Sequence, residues 1–237
     1  MGWPRWSLAF ERRREQVDRR PVQTHGSGGS CYGAAMIGPA TPLVLGSASP
    51  RRAEILGTLG VSFRVVVAQV DETSAAEEFP EDYIQRIVNA KASALGEVLA
   101  AQTWGASLVA DTVVTLDQQI LGKPIDAEDA ASMLRRLQGR THAVMTRYRI
   151  DTLGGASLSR TVSTAVTFRR LAADEVTAYA ASGEGFDKAG GYAIQGKAAA
   201  FVESLQGSYT GVVGLPACQL IVDLRELGVL KHSGMAF

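Results

Sequence analysis

The chain has 237 residues, 46% hydrophobic and 20% charged, enough for a sizeable core in one domain or in one domain with two lobes. Its 24 basic and 24 acidic side chains cancel. A general nucleic-acid binder carries a basic excess, so no nucleic-acid partner is expected and any anionic ligand should be small and held locally. No apolar run reaches the ~20 residues of a membrane span, so no membrane partner is expected either.

Residues 1–36 differ from the rest. They hold Trp3, Trp6, the run Arg12-Arg13-Arg14, the pair Arg19-Arg20 and a Gly/Ser stretch at 26–30. The apolar segment of a secretory signal is missing, and Glu11, Glu15 and Asp18 argue against a transit peptide. The stretch reads as a disordered extension, or as sequence upstream of a start near Met36. Residues 37–237 read as a single domain.

The first expected strand is 43–45, a short apolar run. Ser49-Pro50 then opens a helix, because serine caps and proline fits the first turn. Ile55, Leu56 and Leu59 supply its apolar face and Gly60 ends it. A second strand is expected at 63–67. Pro80 starts a long helix with Tyr83, Ile84, Ile87, Val88 and Leu95 at helical spacing. Residues 107–110 and 112–116 are β-rich runs separated by Asp111. Asp126 caps a helix that buries Ala130, Ala131, Leu134 and Leu137. Residues 141–153 and 158–168 read as long paired strands around Gly154-Gly155. A short helix at 174–181, an unassigned glycine-rich stretch at 183–196, a strand at 201–205 and a closing helix at 216–227 complete the chain. Strands alternating with helices indicate an α/β fold, and the two long consecutive strands indicate a mixed sheet.

Several polar groups stand where chemistry is feasible. Ser47-Ala48-Ser49-Pro50-Arg51-Arg52 runs from a strand end into a helix start. Free N–H groups, two hydroxyls and two guanidinium forks there suit phosphate. A capped helix with surface arginines is the plain alternative, weakened because positive charge in a first turn opposes the helix dipole. Asp71-Glu72-Thr73 follows the second strand; its acids suit oxygen donation to a divalent cation, but taken alone the segment reads as a solvated loop. Lys91 lies on the apolar stripe of its helix, so it either snorkels outward or reaches an anion in a cleft. Asp111, between two β-rich runs, needs a partner: a metal, backbone donors, or a salt bridge to Lys91 or Lys123. Gly122-Lys123-Pro124 holds a lysine in a turn. Cys31 and Cys218 stand far apart in no metal or redox spacing, which reads as a reducing compartment without a disulfide. His25, His142 and His232 form no ligand pattern. Neither a Walker-type loop nor a Gly-x-Ser-x-Gly elbow occurs, so a phosphate-handling site would use dispersed arginine, lysine and carboxylate groups.

In their order along the chain, these segments resemble the Maf family of nucleotide pyrophosphatases. The resemblance runs from about residue 42 to 227. It is carried by Ser47-Ala48-Ser49-Pro50-Arg51-Arg52, Asp71-Glu72-Thr73, Ala110-Asp111-Thr112-Val113-Val114, Gly122-Lys123-Pro124, Gly139-Arg140-Thr141-His142, Asp187-Lys188-Ala189-Gly190, Ile194-Gln195-Gly196, Gly207-Ser208-Tyr209 and Val213-Gly214-Leu215-Pro216. Each is weak alone; the ordered set is specific.

The resemblance implies a twisted mixed sheet with flanking helices, in two lobes around a central cleft. It also implies hydrolysis of a nucleoside triphosphate to the monophosphate and pyrophosphate with a divalent cation, Mg²⁺ or Mn²⁺. Asp111 matches the family's proton acceptor. Arg51, Thr112 and Gln195 match positions tied to substrate choice, and 187–190 with 194–196 look like the branch acting on dTTP and UTP. Phosphate would be held by Ser47, Ser49, Arg52, Lys91 and Lys123, and the metal by Glu72 and Asp111. Members are cytoplasmic and commonly homodimers. Departures at 147–149, 197–200 and Gly211 bear on base selectivity, leaving a 7-methyl-GTP preference as an alternative. A nucleotide-binding regulator of cell division or septum formation with little catalysis is the rival from another class.

Overall fold

A computed structural model describes residues 15–20, 35–75 and 78–231. Among these, eight strands form one mixed sheet: β1 (Glu15–Arg20), β2 (Leu43–Leu45), β3 (Phe63–Val65), β4 (Ala106–Leu116), β5 (Gln119–Leu121), β6 (Thr141–Thr152), β7 (Ser157–Phe168) and β8 (Val202–Gln206). Their order is β1-β7-β6-β4-β2-β3, with β5 also on β4 and β8 also on β7. β2 runs parallel to β3 and β4; the other pairings are antiparallel. The flanking helices are α1 (Pro50–Thr58), α2 (Pro80–Leu99), α3 (Ala127–Leu137), α4 (Ala173–Ala181), α5 (Tyr209–Val213) and α6 (Ala217–Glu226).

Local chemistry accounts for these elements. Asp126 accepts a hydrogen bond from the Asp129 amide, and Arg135 and Arg136 occupy the last turn of α3, so both ends complement the helix dipole. The β6–β7 hairpin pairs in register from Thr141↔Thr167 to Asp151↔Ser157. Gly155, at φ +83°, lies in its turn.

Side chains alternate along the strands, which divides the sheet into two faces. On one face, Ala110, Tyr148 and Ile150 join Leu43, Leu56 and the α6 residues Leu220 and Leu224 in one apolar cluster. Further along the same strands, Val114, Val144 and Phe168 join the α3 residues Leu134 and Leu137 in a second cluster. Thr112 and Thr146 fall between them. The two lobes thus share β4 and β6 and part at a belt of hydroxyls. Helix α2 covers the opposite face: Ile84 and Ile87 pack on Val113 and Met145, and Val88 and Leu95 on Val44 and Val109. Asp223 of α6, fully buried, accepts hydrogen bonds from Tyr148 at 2.5 Å and Arg160 at 2.6 and 2.8 Å, pinning α6 to the hairpin.

Two features depart from the sequence reading. Within the stretch expected to be disordered, residues 15–20 form a strand; most of 1–36 lies outside the described residues, including Cys31 and the Gly/Ser run. Its single apolar residue, Val17, packs on the core while its charged neighbours meet charges on the domain. Second, β4 passes through Asp111 without a break, because a lysine compensates the carboxylate. No helix among the described residues is long and apolar enough to cross a membrane.

Candidate active site

The cleft begins where β4 loses its neighbours. On one edge, residues 106–108 pair with β2 and 114–116 with β5. Between them, no described strand pairs with that edge. The carboxyl end of β2 and the amino end of α1 border this opening on one side, and the turn after β5 on the other. The cleft measures about 800 Å³, within the range of small-molecule sites. All ten residues singled out above line it: Ser47, Ser49, Arg51, Arg52, Glu72, Lys91, Asp111, Thr112, Lys123 and Gln195.

Helix α1 presents an open amino end. Ser49 occupies the cap position with Pro50 behind it, but its side chain makes no capping bond and the first turn holds no acid. Ser47 Oγ accepts from the Ser49 amide at 3.2 Å and from Arg52 Nη1 at 2.9 Å. With both acceptor directions used, its O–H is left to donate, which selects for an anion.

Arg52 is buried and largely committed to the protein. Its Nε donates to the Gly214 carbonyl at 2.8 Å and its Nη2 to Thr112 Oγ1 at 3.3 Å. Thr146 donates to the Gly211 carbonyl at 2.7 Å, so the 2.8 Å contact between the two threonines must be Thr112 donating to Thr146. A directed chain therefore runs from Arg52 through Thr112 and Thr146 to the Gly211 carbonyl of α5. Burial lowers the Arg52 pKa, opposed by Asp111 and Glu72, and an arginine so placed stays charged.

On the α2 side, Lys91 Nζ lies 2.6 Å from Glu72 Oε1 and 2.8 Å from Asp111 Oδ1. Lys91 thus neither snorkels away nor stands alone. Its side chain is 12% exposed and that of Asp111 13%, so each offsets the other's desolvation. Burial alone would raise the Glu72 pKa, but the Lys91 contact together with the Lys123 and Arg52 charges holds it below the ordinary value. Tyr83 Oη donates to the Glu72 carbonyl at 2.9 Å, fixing the loop that carries this carboxylate. Burial, then Asp111 and Glu72, push the Tyr83 pKa up to about 12.

The other rim comes from the glycine-rich stretch. Gly190, at φ +72°, donates its amide to the Gly122 carbonyl at 2.9 Å and so ties this stretch to the Lys123 turn. Asp187 from this rim reaches Arg51 of α1 at 3.7 Å, a weak ion pair across the cleft. Tyr192 also lines the cleft and meets His142 Nε2 at 2.8 Å behind it.

Residues 42–227 match the family model described as Maf-like protein. The chain belongs to the Maf family. Curated Maf relatives agree over nearly their whole lengths. A protein named dTTP/UTP pyrophosphatase from Syntrophus aciditrophicus (strain SB) is 43% identical over 194 residues, 81% of this chain and 93% of the relative. One of the same name from Citrifermentans bemidjiense is 44% identical over 80% of this chain and 97% of its own. Another, from Geobacter sulfurreducens, is 46% identical over 79% and 97%.

Two participants in this Maf cleft were not singled out from the sequence. Tyr83 was read as part of the apolar face of α2, although it lies eight positions before Lys91 on the same stripe. Thr146, fully buried on β6, carries no local signal; only its pairing opposite Thr112 reveals it.

Proposed function

We propose that this chain hydrolyses nucleoside triphosphates, with dTTP and UTP favoured, to the monophosphate and pyrophosphate. One observation carries the reading: an open helix start with Arg51 and a donating Ser47 faces the Glu72–Lys91–Asp111 cluster across a single cleft. The names of the relatives support both the reaction and the pyrimidine preference.

In this reading the amides of α1, Ser47, Ser49 and Arg51 hold the triphosphate from one side. Lys91 and Lys123 add charge from the other. Arg52 contributes mainly by orienting Ser47 and Thr112, since three of its N–H groups already have partners. Asp111 orients the attacking water and takes its proton. Gln195 stands at the rim with an amide that both donates and accepts, as the edge of a uracil or thymine ring requires.

The residues present fit a divalent cation. Glu72 and Asp111 meet the Lys91 ammonium through Oε1 and Oδ1, which leaves the second oxygen of each carboxylate for a cation seated beside the ammonium. Among the described residues, no group of three or more His, Cys, Asp or Glu stands together. Two carboxylates completed by phosphate oxygens and water are the usual Mg²⁺ arrangement. Such a cation, when bound, would lower the pKa of a water and offset charge on the phosphoryl oxygens.

A substrate panel tests the proposal. The chain should release pyrophosphate, not phosphate, from dTTP and UTP with Mg²⁺, faster than from CTP or 7-methyl-GTP at equal concentration. Tight nucleotide binding without pyrophosphate would instead favour a regulatory binding protein.

A further inference from the structure

Strand β1 lies outside residues 42–227, yet it is built into the sheet. It pairs antiparallel with β7 from Glu15↔Val162 to Arg20↔Ser157. On one face Glu15 meets Arg160 at 2.9 Å and Arg19 meets Glu226 at 2.8 Å. On the other face Asp18 accepts from Arg147 Nη2 at 2.5 Å.

Arg147 is the informative partner. It is 2% exposed; its Nη1 donates to Thr161 Oγ1 at 2.8 Å, and its Nε is buried without a partner among the described residues. Arg147 is also the register partner of Asp111 across β4 and β6. Residues directly opposite in an antiparallel pair project from the same face, with Cβ atoms ~4.5–5.5 Å apart, well within the reach of an arginine. One guanidinium thus lies between two carboxylates on its face of the sheet, Asp18 outward and Asp111 inward; a third on that face, Asp151, is held by Arg149 at 2.7 Å. It is paired with Asp18, while Asp111 is held by Lys91.

We propose that β1 is a positioning element of the cleft: Asp18 holds the Arg147 guanidinium on the outer half of the sheet and keeps it from Asp111. Without Asp18, a desolvated guanidinium loses its counter-charge, and such a charge does not stay unpaired. Asp111 is the carboxylate directly across from it. A two-point contact there would tie up the Asp111 oxygens with fixed donors and draw them from Lys91 and from water. Asp18 and Arg147 touch no substrate in this account; they act through Asp111. The kinetic part rests on the proposed role of Asp111, whereas the rearrangement itself does not.

The test compares Asp18→Asn, Arg147→Met and the double variant in the full chain. Asp18→Asn is nearly isosteric and leaves the β1–β7 ladder intact. In Arg147→Met, the orphaned Asp18 is 51% exposed and is solvated at little cost. Asp18→Asn should lower pyrophosphate release from dTTP about tenfold or more, Arg147→Met should stay within about twofold, and the double variant should return to the Arg147→Met level. A crystal structure of Asp18→Asn should place Arg147 on Asp111. Parental turnover in Asp18→Asn, or a loss that Arg147→Met does not rescue, overturns the proposal; so does a guanidinium that stays on Thr161. If the parent releases no pyrophosphate, the proposed function falls, and the crystal structure still decides where Arg147 goes.

Discussion

Lys91 of α2 reaches Asp111 of β4, its Nζ 2.8 Å from Oδ1, and the same ammonium lies 2.6 Å from Glu72. This contact lets an aspartate sit inside a buried strand and gathers Glu72 and Asp111 about one ammonium.

Removing the ammonium should therefore affect folding and function together. Lys91→Met leaves Asp111 largely buried without its cation and two carboxylates side by side. Counting only the Lys91–Asp111 pair, because Glu72 is about half exposed, the loss should be about 1–3 kcal/mol. Chemical denaturation reads the stability and pyrophosphate release reads the turnover, which should drop as well. Unchanged stability would mean that solvent already serves Asp111.

Much of this arrangement is legible in the sequence, for physical reasons that differ by element. The lysine on an apolar stripe and the aspartate between β-rich runs each signal an unmet cost, and the structure has each meeting the other's. The sequence does not reveal that the meeting happens within one continuous strand; the expected break at Asp111 came from intrinsic propensity, which the lysine overrides. β1 is invisible to periodicity because it carries one apolar residue among five polar ones, and its pairing energy comes from charges distant in sequence. The short β5 and α5 escape notice because three and five residues hold too little pattern.

Ser47→Ala should raise the KM for the triphosphate about tenfold with a smaller effect on kcat. The hydroxyl accepts from Arg52 and from the Ser49 amide and has only its proton to offer, so its part is binding anion and ordering Arg52. Steady-state kinetics with dTTP separates the two parameters. An unchanged KM would remove Ser47 from the phosphate site.

His142 should make stability depend on pH. Burial pushes its pKa down to about 4, so the folded state keeps the ring neutral while the unfolded chain takes up a proton near pH 6.5. The contribution is fully present above about 6.5 and is lost as pH falls toward 4, with a size on the order of 3 kcal/mol. Down to about pH 5 the carboxylates with depressed pKa (Asp71, Glu72, Glu78, Glu175 and Asp187) remain mostly ionised in the unfolded chain as well as in the folded one, so above that pH the histidine dominates the slope. Denaturation at pH 7 and pH 5 should show the slope, and His142→Gln should flatten it. Equal slopes in the two proteins would assign the effect elsewhere.

Gly190→Ala should destabilise the rim of the cleft. The residue has φ +72°, and an added Cβ would stand 2.9 Å from Val114 Cγ1. Left-handed strain plus this overlap should cost about 2 kcal/mol or more and loosen the bond to the Gly122 carbonyl next to Lys123. Thermal unfolding checks the first effect, and a raised KM for dTTP checks the second.

The central claim is that Asp111 activates water for triphosphate cleavage, and one variant tests it most directly. Asp111→Asn keeps the size of the side chain and an oxygen for Lys91 but cannot take a proton. Turnover of dTTP with Mg²⁺ should fall by about 10²-fold or more while the protein stays folded and binds the nucleotide. Near-parental turnover in that variant would contradict the account.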